Sequence, residues 1–435
     1  MQRYCADMTT STERPAACEP GHRSDRTVPT SRYRSLPDPA VDAAEVGAQG
    51  WVLDDLLLPA MVLRDDALRH NIALHAQWCA SVGVSQAPHA KTHLSPEIVR
   101  LQLDSGAWGM TVATVHQARL LAEVGVQRII LAHQVVDAAN VRALARLLEQ
   151  RPDLTVMPLV DSVAGARLLD AHLARVRPGR RIPVLVELGV PGGRTGARGL
   201  GALEAVARVV HESERLTLAG VEGFEGILPV GRGAEHLAPV DSYLARLAEA
   251  AAALDAHGLF ADVEEVVVTA GGSVFPDRVA AMPRPALSRP LRVVVRSGGT
   301  VTHDHGPDAA YPPLAPEAGH PLGALRPALE LWAAVVSIPE PGLALAAFGK
   351  RDAPYDARLP EVLEVRRDGE PVDAAGVVVD RVNDQHGFLR HDGQLEVGDV
   401  LRMGPTHPCT AFDKWPLVPL VDDRDAVVGA VTTWF

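Results

Sequence analysis

From about residue 50 onward, short apolar runs alternate with stretches whose apolar positions recur at helical spacing. The runs at 60–63, 82–85, 109–113, 128–132, 155–160, 183–188, 218–222, 265–269 and 291–296 have strand length and strand composition. Between them, 66–79, 115–124, 138–149, 163–176, 203–211 and 240–257 read as helices. So long a series of βα units predicts an α/β fold with a parallel sheet. It favours a closed (β/α)8 barrel of the TIM type over an open doubly wound sheet, although periodicity alone does not close a barrel. After residue 313 the pattern changes. The runs at 329–337, 343–348, 362–366, 376–382, 387–391, 400–403 and 426–433 are split by Gly, Pro and Asp turns and predict a compact β domain without a long helix. The leading 48 residues have mixed charge, several prolines and little apolar periodicity, so they are expected to form a mostly disordered tail. The expected division is therefore a tail (1–48), a barrel (49–313) and a C-terminal β domain (314–435).

Composition narrows the function class. A chain of 435 residues suits two domains, and 47% hydrophobic with 22% charged residues is that of a globular protein. A net charge of −12 argues against nucleic acid or an anionic membrane as partner. No apolar run approaches the ~20 residues a membrane helix needs, and the N-terminus lacks the apolar core of a secretion signal. Cys5, Cys18, Cys79 and Cys409 show no disulfide framework spacing. The expectation is a reduced, cytoplasmic enzyme acting on a small molecule.

Polar and glycine-rich clusters follow the candidate strands, where barrel chemistry gathers. The first, Ala87 to Glu97, reads Ala-Pro-His-Ala-Lys-Thr-His-Leu-Ser-Pro-Glu. Ser95 is placed to cap the following helix, with Pro96 at its first position. Lys91 thus falls on a strand-to-helix loop beside His89 and His93. Burial and neighbouring positive groups there would hold a lysine near neutrality, as a Schiff-base lysine requires. The same spacing also fits a solvated loop lysine. Further along come Gly193-Arg194-Thr195-Gly196, Gly223-Phe224-Glu225-Gly226, Gly271-Gly272-Ser273 and Ser297-Gly298-Gly299. The last two could present backbone N–H groups and hydroxyls to a phosphate, or could be tight turns. The stretch 192–201 has the wrong glycine spacing for a dinucleotide loop.

In the β domain, His407 and Cys409 form an i, i+2 pair that an extended segment would point to one face. Imidazole with thiolate suits zinc, and two protein ligands would leave positions for water and substrate. A buried cysteine near an unrelated histidine is the alternative. In His303-Asp304-His305, three consecutive side chains cannot all face one site on a strand, so a barrel-exit loop near the pocket is expected. His386 is a further pocket candidate.

Two of these phrases, His89 to Glu97 and His407-Pro408-Cys409 running on to Phe412-Asp413-Lys414-Trp415, resemble the D-serine dehydratase and D-threonine aldolase family, relatives of alanine racemase. The resemblance covers roughly Asp54 to the C-terminus. It implies an eight-stranded barrel with a β domain, and pyridoxal 5′-phosphate carried on Lys91, which would also take the substrate α-proton. Arg194 would pair with the cofactor's phenolate oxygen. Gly271, Gly272, Ser273, Ser297, Gly298 and Gly299 would hold its phosphate. His407 and Cys409 would hold Zn²⁺, with Mn²⁺ or another divalent ion possible. A homodimer is implied as well. Aldolases of this family tend to carry a carboxylate at the position of Cys409, whereas cysteine is typical of the dehydratases. The expectation is therefore a dehydratase of a D-3-hydroxy amino acid such as D-serine, giving a 2-oxo acid and ammonia. A D-threonine aldolase is the first alternative, and a non-catalytic pyridoxal-phosphate carrier the second. Phe224 and Thr300 stand where the family often has tyrosine, so no phenol role is assigned to either.

Overall fold

The computed structural model describes residues 33–38, 40–306, 314 and 323–435. Its larger unit is an eight-stranded, all-parallel sheet curled into a barrel. The strands are β2 (Ser85–Gln86), β3 (Met110–Val112), β4 (Arg128–Gln134), β5 (Thr155–Val160), β6 (Ile182–Leu188), β7 (Leu216–Gly223), β8 (Val266–Ala270) and β9 (Leu291–Val295). Apart from the two-residue β2, they are rich in β-branched and other apolar residues and largely buried; all five residues of β8 are buried. Helices α1 (Asp65–Ser81), α2 (Pro96–Asp104), α3 (Val115–Val124) and α4 (Ala138–Gln150) run between the early strands. Helices α5 (Val163–Val176), α6 (Leu200–His211), α7 (Ala234–Ala256) and the short α8 (Pro276–Ala280) follow. Their starts follow capping chemistry. Asp137 accepts the N–H groups of Ala139 and Asn140, Thr114 that of Gln117, and Ser162 that of Gly165.

The barrel is nearly closed. Neighbouring strands pair in the order β2-β9-β8-β7-β6-β5-β4-β3. The remaining seam is bridged just beyond β2, where His89 pairs with Thr111 and the Thr111 hydroxyl donates to the Ala87 carbonyl at 2.6 Å. Ala87, Ile130, Leu159, Leu185, Val267 and Val294 fill the interior beneath. The strand expected at 82–85 lies later and is only two residues long, because the end of α1 uses those positions. Val82 N–H still bonds back to Trp78, and Gly83 takes a left-handed turn with φ of 67°.

The C-terminal unit is a ten-stranded sheet. Besides β10 (Leu329–Glu340), β11 (Leu343–Ala346), β12 (Glu361–Arg367) and β13 (Glu370–Val372), it contains β14 (Val378–Val382) and β15 (Gly387–Arg390). Strands β16 (Val400–Gly404), β17 (Leu417–Val421) and β18 (Val427–Thr432) complete the chain. Two sequence expectations are corrected here. The first apolar run, β1 (Ala60–Arg64), is not a barrel strand; it lies inside this second sheet, antiparallel to β10 and parallel to β17. A buried ionic knot holds it there. Glu330 of β10 accepts Arg64 of β1 and Arg402 of β16, plus the indole N–H of Trp332. An apolar run of strand length carries no mark of which sheet it joins. The second correction concerns the tail. Residues 1–32 and 39 lie outside the described residues, but Tyr33, Leu36 and Val46 are buried against β1, Trp332 and the last strands. Strand β17 was not expected either, since Pro419 interrupts its pattern. Among the described residues, no helix is long and apolar enough to cross a membrane.

Candidate active site

A cavity of about 460 Å³ opens at the C-terminal end of the barrel, roofed by the β domain. Lys91 enters it from a 3-10 turn, Ala90–Thr92, which directly follows the barrel seam. The turn is tied on both sides. His89 Nδ1 accepts the Lys91 N–H, and the Ser95 hydroxyl accepts the Ile98 N–H to start α2, with Pro96 at the first helical position as expected. Glu97 of α2 accepts the backbone N–H and hydroxyl of Thr432, and Trp434 N–H bonds to Leu94, so the C-terminus laces onto this loop. Contrary to the expectation of burial, Lys91 is exposed. The flanking histidines differ from it. His89 is held well below its ordinary pKa by desolvation, then by the charges of Lys91 and Arg296. His93 is buried and lowered to about 4 by desolvation, so both imidazoles are neutral.

Arg194 lines the same cavity, its guanidinium 4.1 Å from the centre of the Phe224 ring. Tyr243 of α7 fixes that ring's backbone. Its hydroxyl donates to Leu188 at the end of β6 and accepts the Phe224 N–H. A side chain at Gly223 would collide with this hydroxyl, which explains the glycine. Glu187, buried beneath the Arg194 loop, accepts the Thr195 hydroxyl and the Gln134 amide. Its carboxyl is pushed up to about 7 by burial and by the nearby Glu222.

The glycine turns after β8 and β9 meet at one wall. Gly271, Gly272, Ser273, Gly298 and Gly299 all line the cavity. Ser297 does not. Its hydroxyl donates inward to the Gly272 carbonyl at 2.8 Å, and this bond locks one turn to the other. Ser273 Oγ accepts the Gly299 N–H. A Cβ on Gly298 would sit 2.5 Å from the His89 carbonyl, so only glycine lets this turn approach the lysine loop. Between the turns lies Arg296, 3% exposed, ion-paired to Glu222, donating to the Gly223 carbonyl, and with Nη1 unpartnered. An unsatisfied guanidinium N–H on a cavity wall, beside glycine-rich strand ends, fits an acceptor-bearing, phosphorylated ring cofactor.

The opposite wall comes from the β domain. His407, Pro408 and Cys409 line the cavity, with Thr406 and Ala357. His407 Nδ1 bonds to Asp356 at 2.6 Å, which leaves Nε2 for a metal, and Asp356 also accepts the Thr410 hydroxyl. The His407 imidazole is raised to about 9, first by its hydrogen bond with Cys409 and further by Asp356. A site that favours positive charge on this ring fits a cation bound in its place. Among the described residues no group of three or more His, Cys, Asp or Glu side chains is arranged to hold a metal, so the pair would leave open positions. Of His303-Asp304-His305 only Asp304 reaches the cavity, and His386 sits on the turn between β14 and β15, away from it. The sequence reading missed Glu187, Arg296 and Asp356. Arg296, next to Ser297-Gly298, had a signal in its place at a strand end; the two carboxylates had none.

Residues 63–285 match the alanine racemase N-terminal domain family, and residues 328–421 match the putative serine dehydratase domain. The chain is 27% identical to a D-threonine aldolase of Arthrobacter, covering 85% of this chain and 90% of that protein. It is 29% identical to the D-threo-3-hydroxyaspartate dehydratase of Delftia sp. HT23, covering 86% and 96%. The solved structure of that dehydratase superposes with a TM-score of 0.70 at 26% identity, over 88% of this chain and 99% of that one. Another form of it, with a cysteine replaced by alanine, is metal-free. A D-threonine aldolase from Filomicrobium marinum shares the fold at a TM-score of 0.72 and 23% identity, covering 88% and 96%.

Proposed function

The chain belongs to the alanine racemase family of pyridoxal-phosphate enzymes, in its D-serine dehydratase and D-threonine aldolase branch, and from that premise we propose a zinc-assisted dehydratase of a D-3-hydroxy amino acid such as D-serine. The broader assignment is a pyridoxal-phosphate-dependent lyase of D-hydroxy amino acids. One observation carries the finer reading: Lys91 and the His407–Cys409 pair, far apart in sequence, line one cavity, their loops touching through Thr92 and Cys409.

Bound pyridoxal phosphate supplies an electron sink for the carbanion formed at the substrate α-carbon, and a divalent ion supplies Lewis acidity to the β-hydroxyl as it leaves. The residues present do the rest. Lys91 Nζ would hold the cofactor and, once free, would serve as the base positioned to take the substrate α-proton. Arg194, stacked on Phe224, would pair with the ring oxygen and favour its anionic form. The paired glycine turns and Ser273 receive the phosphate, and Arg296 Nη1 offers a donor to the ring. His407 and Cys409, oriented by Asp356 and by Thr92, hold the ion. Proton abstraction followed by loss of hydroxide gives, after hydrolysis, a 2-oxo acid and ammonia.

Retro-aldol cleavage to glycine and an aldehyde uses the same groups, and the aldolase relatives support it as second reading. Cys409 at the metal position favours elimination. Release of 2-oxo acid and of glycine from D-serine and D-threonine, before and after chelation, separates the two. Pyruvate from D-serine that disappears on chelation and returns with zinc is the expected result. Glycine and acetaldehyde from D-threonine without 2-oxo acid would make the protein an aldolase.

A further inference from the structure

A carboxyl group sits inside the glycine turns that are assigned to the cofactor phosphate. Glu225, in the turn after β7, is fully buried, and its Oε1 accepts the Gly272 N–H at 2.6 Å. Its Oε2 is buried without a hydrogen-bond partner. Gly272 lines the cavity, and its N–H is committed to Glu225, so the carboxyl stands directly behind the turn a phosphate would meet. Burial pushes the Glu225 carboxyl up, and the Gly272 N–H and the Arg296 charge oppose this only in part, which leaves little to offset a second anion. Arg296, at the end of β9, is already ion-paired to Glu222 of β7. Tyr243 of α7 is committed to Leu188 and Phe224. The Arg194 guanidinium is stacked on the Phe224 ring, 4.1 Å from its centre. A phosphate monoester brings about −1.5 to −2 charge at neutral pH. Adding it beside an ionised Glu225 would put two anions on one buried set of N–H groups with one matched arginine between them.

We propose that Glu225 is the proton-coupled member of this phosphate site: a phosphate ester is admitted only when the Glu225 carboxyl is neutral. In that state Oε1 keeps its bond from Gly272, and Oε2–H becomes a donor toward the phosphate, so each ester bound takes up one proton wherever the carboxyl of the free protein is ionised. The burial of Glu225, which pushes its carboxyl toward the neutral form, acts in the same direction. The inference rests on the cavity being the pyridoxal-phosphate site.

The test uses the full-length protein freed of cofactor and titrated with pyridoxine 5′-phosphate, which has ring and phosphate but no aldehyde to react with Lys91. Affinity is measured from pH 6 to 9 for the wild type and for Glu225→Gln, whose amide keeps an acceptor for Gly272 and a donor at the second position. The wild-type affinity should fall relative to the variant, by up to about tenfold per pH unit once the free carboxyl is ionised. Pyridoxine without the phosphate should show no such difference. Calorimetry of the wild type, at the pH where its affinity falls by about tenfold per unit and in buffers of different ionisation enthalpy, should register uptake of close to one proton per ester bound, a readout that does not depend on the variant folding. Parallel pH profiles for wild type and variant, or no proton uptake, would overturn the inference while leaving the cofactor site intact. Failure of the wild type to bind pyridoxine 5′-phosphate at any pH would instead overturn the cofactor reading, and this inference with it.

Discussion

Thr92 Oγ1 lies 3.4 Å from Cys409 Sγ, although the two residues are 317 positions apart. The contact joins the turn that carries Lys91 to the loop that carries the candidate metal ligands, so the proposed cofactor and metal positions are held in one register. Loosening either loop should therefore be felt in the other.

Lys91→Ala removes the amine proposed to attach the cofactor. The purified variant should lack the visible absorbance of lysine-bound pyridoxal phosphate and have no turnover, while still binding pyridoxine 5′-phosphate through the glycine turns. Survival of the visible band would show that another lysine carries the cofactor.

Cys409→Ala should keep the visible band but lose the metal and the activity, read by metal analysis of the dialysed protein. Asp356→Asn acts one step further out, because it weakens the hydrogen bond that orients His407. Its metal affinity should drop about 10–100-fold with the cofactor spectrum unchanged. Full activity of dialysed Cys409→Ala would exclude the metal role.

His93 ties stability to acid pH. It is fully buried, its Nδ1 accepts the Ser95 N–H, its Nε2 has no partner, and its pKa is lowered to about 4. The unfolded chain binds a proton there near pH 6.5 and the folded chain does not until about 4. Stability is thus intact above 6.5 and is lost progressively as pH falls toward 4, by about 3 kcal/mol at most. Urea unfolding across this range should show the loss in the wild type and a shallower one in His93→Gln. Equal slopes would remove His93 from the account.

Glu330 is the hub that holds β1 in the second sheet. Burial pushes its carboxyl up, but the hydrogen bonds and charges of Arg64 and Arg402 outweigh that and hold it below the usual range. Glu330→Ala would remove the carboxylate shared by Arg64 and Arg402, leaving Arg64 with Asp425 and Arg402 with Glu364. Denaturant unfolding should show a loss of about 1.5–3 kcal/mol, that of hydrogen bonds to a charged group. A change below 1 kcal/mol would mean that apolar packing of β1, not the ionic knot, holds that strand.

Much of the site was legible before any coordinates. The glycine turns at 271–273 and 297–299, the Arg194 loop and the Lys91 loop each follow a β-branched run, and a barrel gathers strand ends on one face. Ser95 and Pro96 announced α2 through capping chemistry alone. Local periodicity was less informative where strands are very short, as at β2, or contain proline, as at β17.

By itself the sequence determined the βα rhythm, the change to β structure after residue 313, and which residue types stand at strand ends, because these depend on neighbours a few positions away. Tertiary structure decided the rest. It sent β1 to the second sheet, where Arg64 meets Glu330. It turned the Ser297 hydroxyl away from the cavity onto Gly272 and set Glu225 against the same glycine. It brought Asp356 behind His407. Strand partners, hydroxyl directions and protonation states are set by groups that arrive from distant segments, and burial strengthens those encounters only once the chain has closed around them.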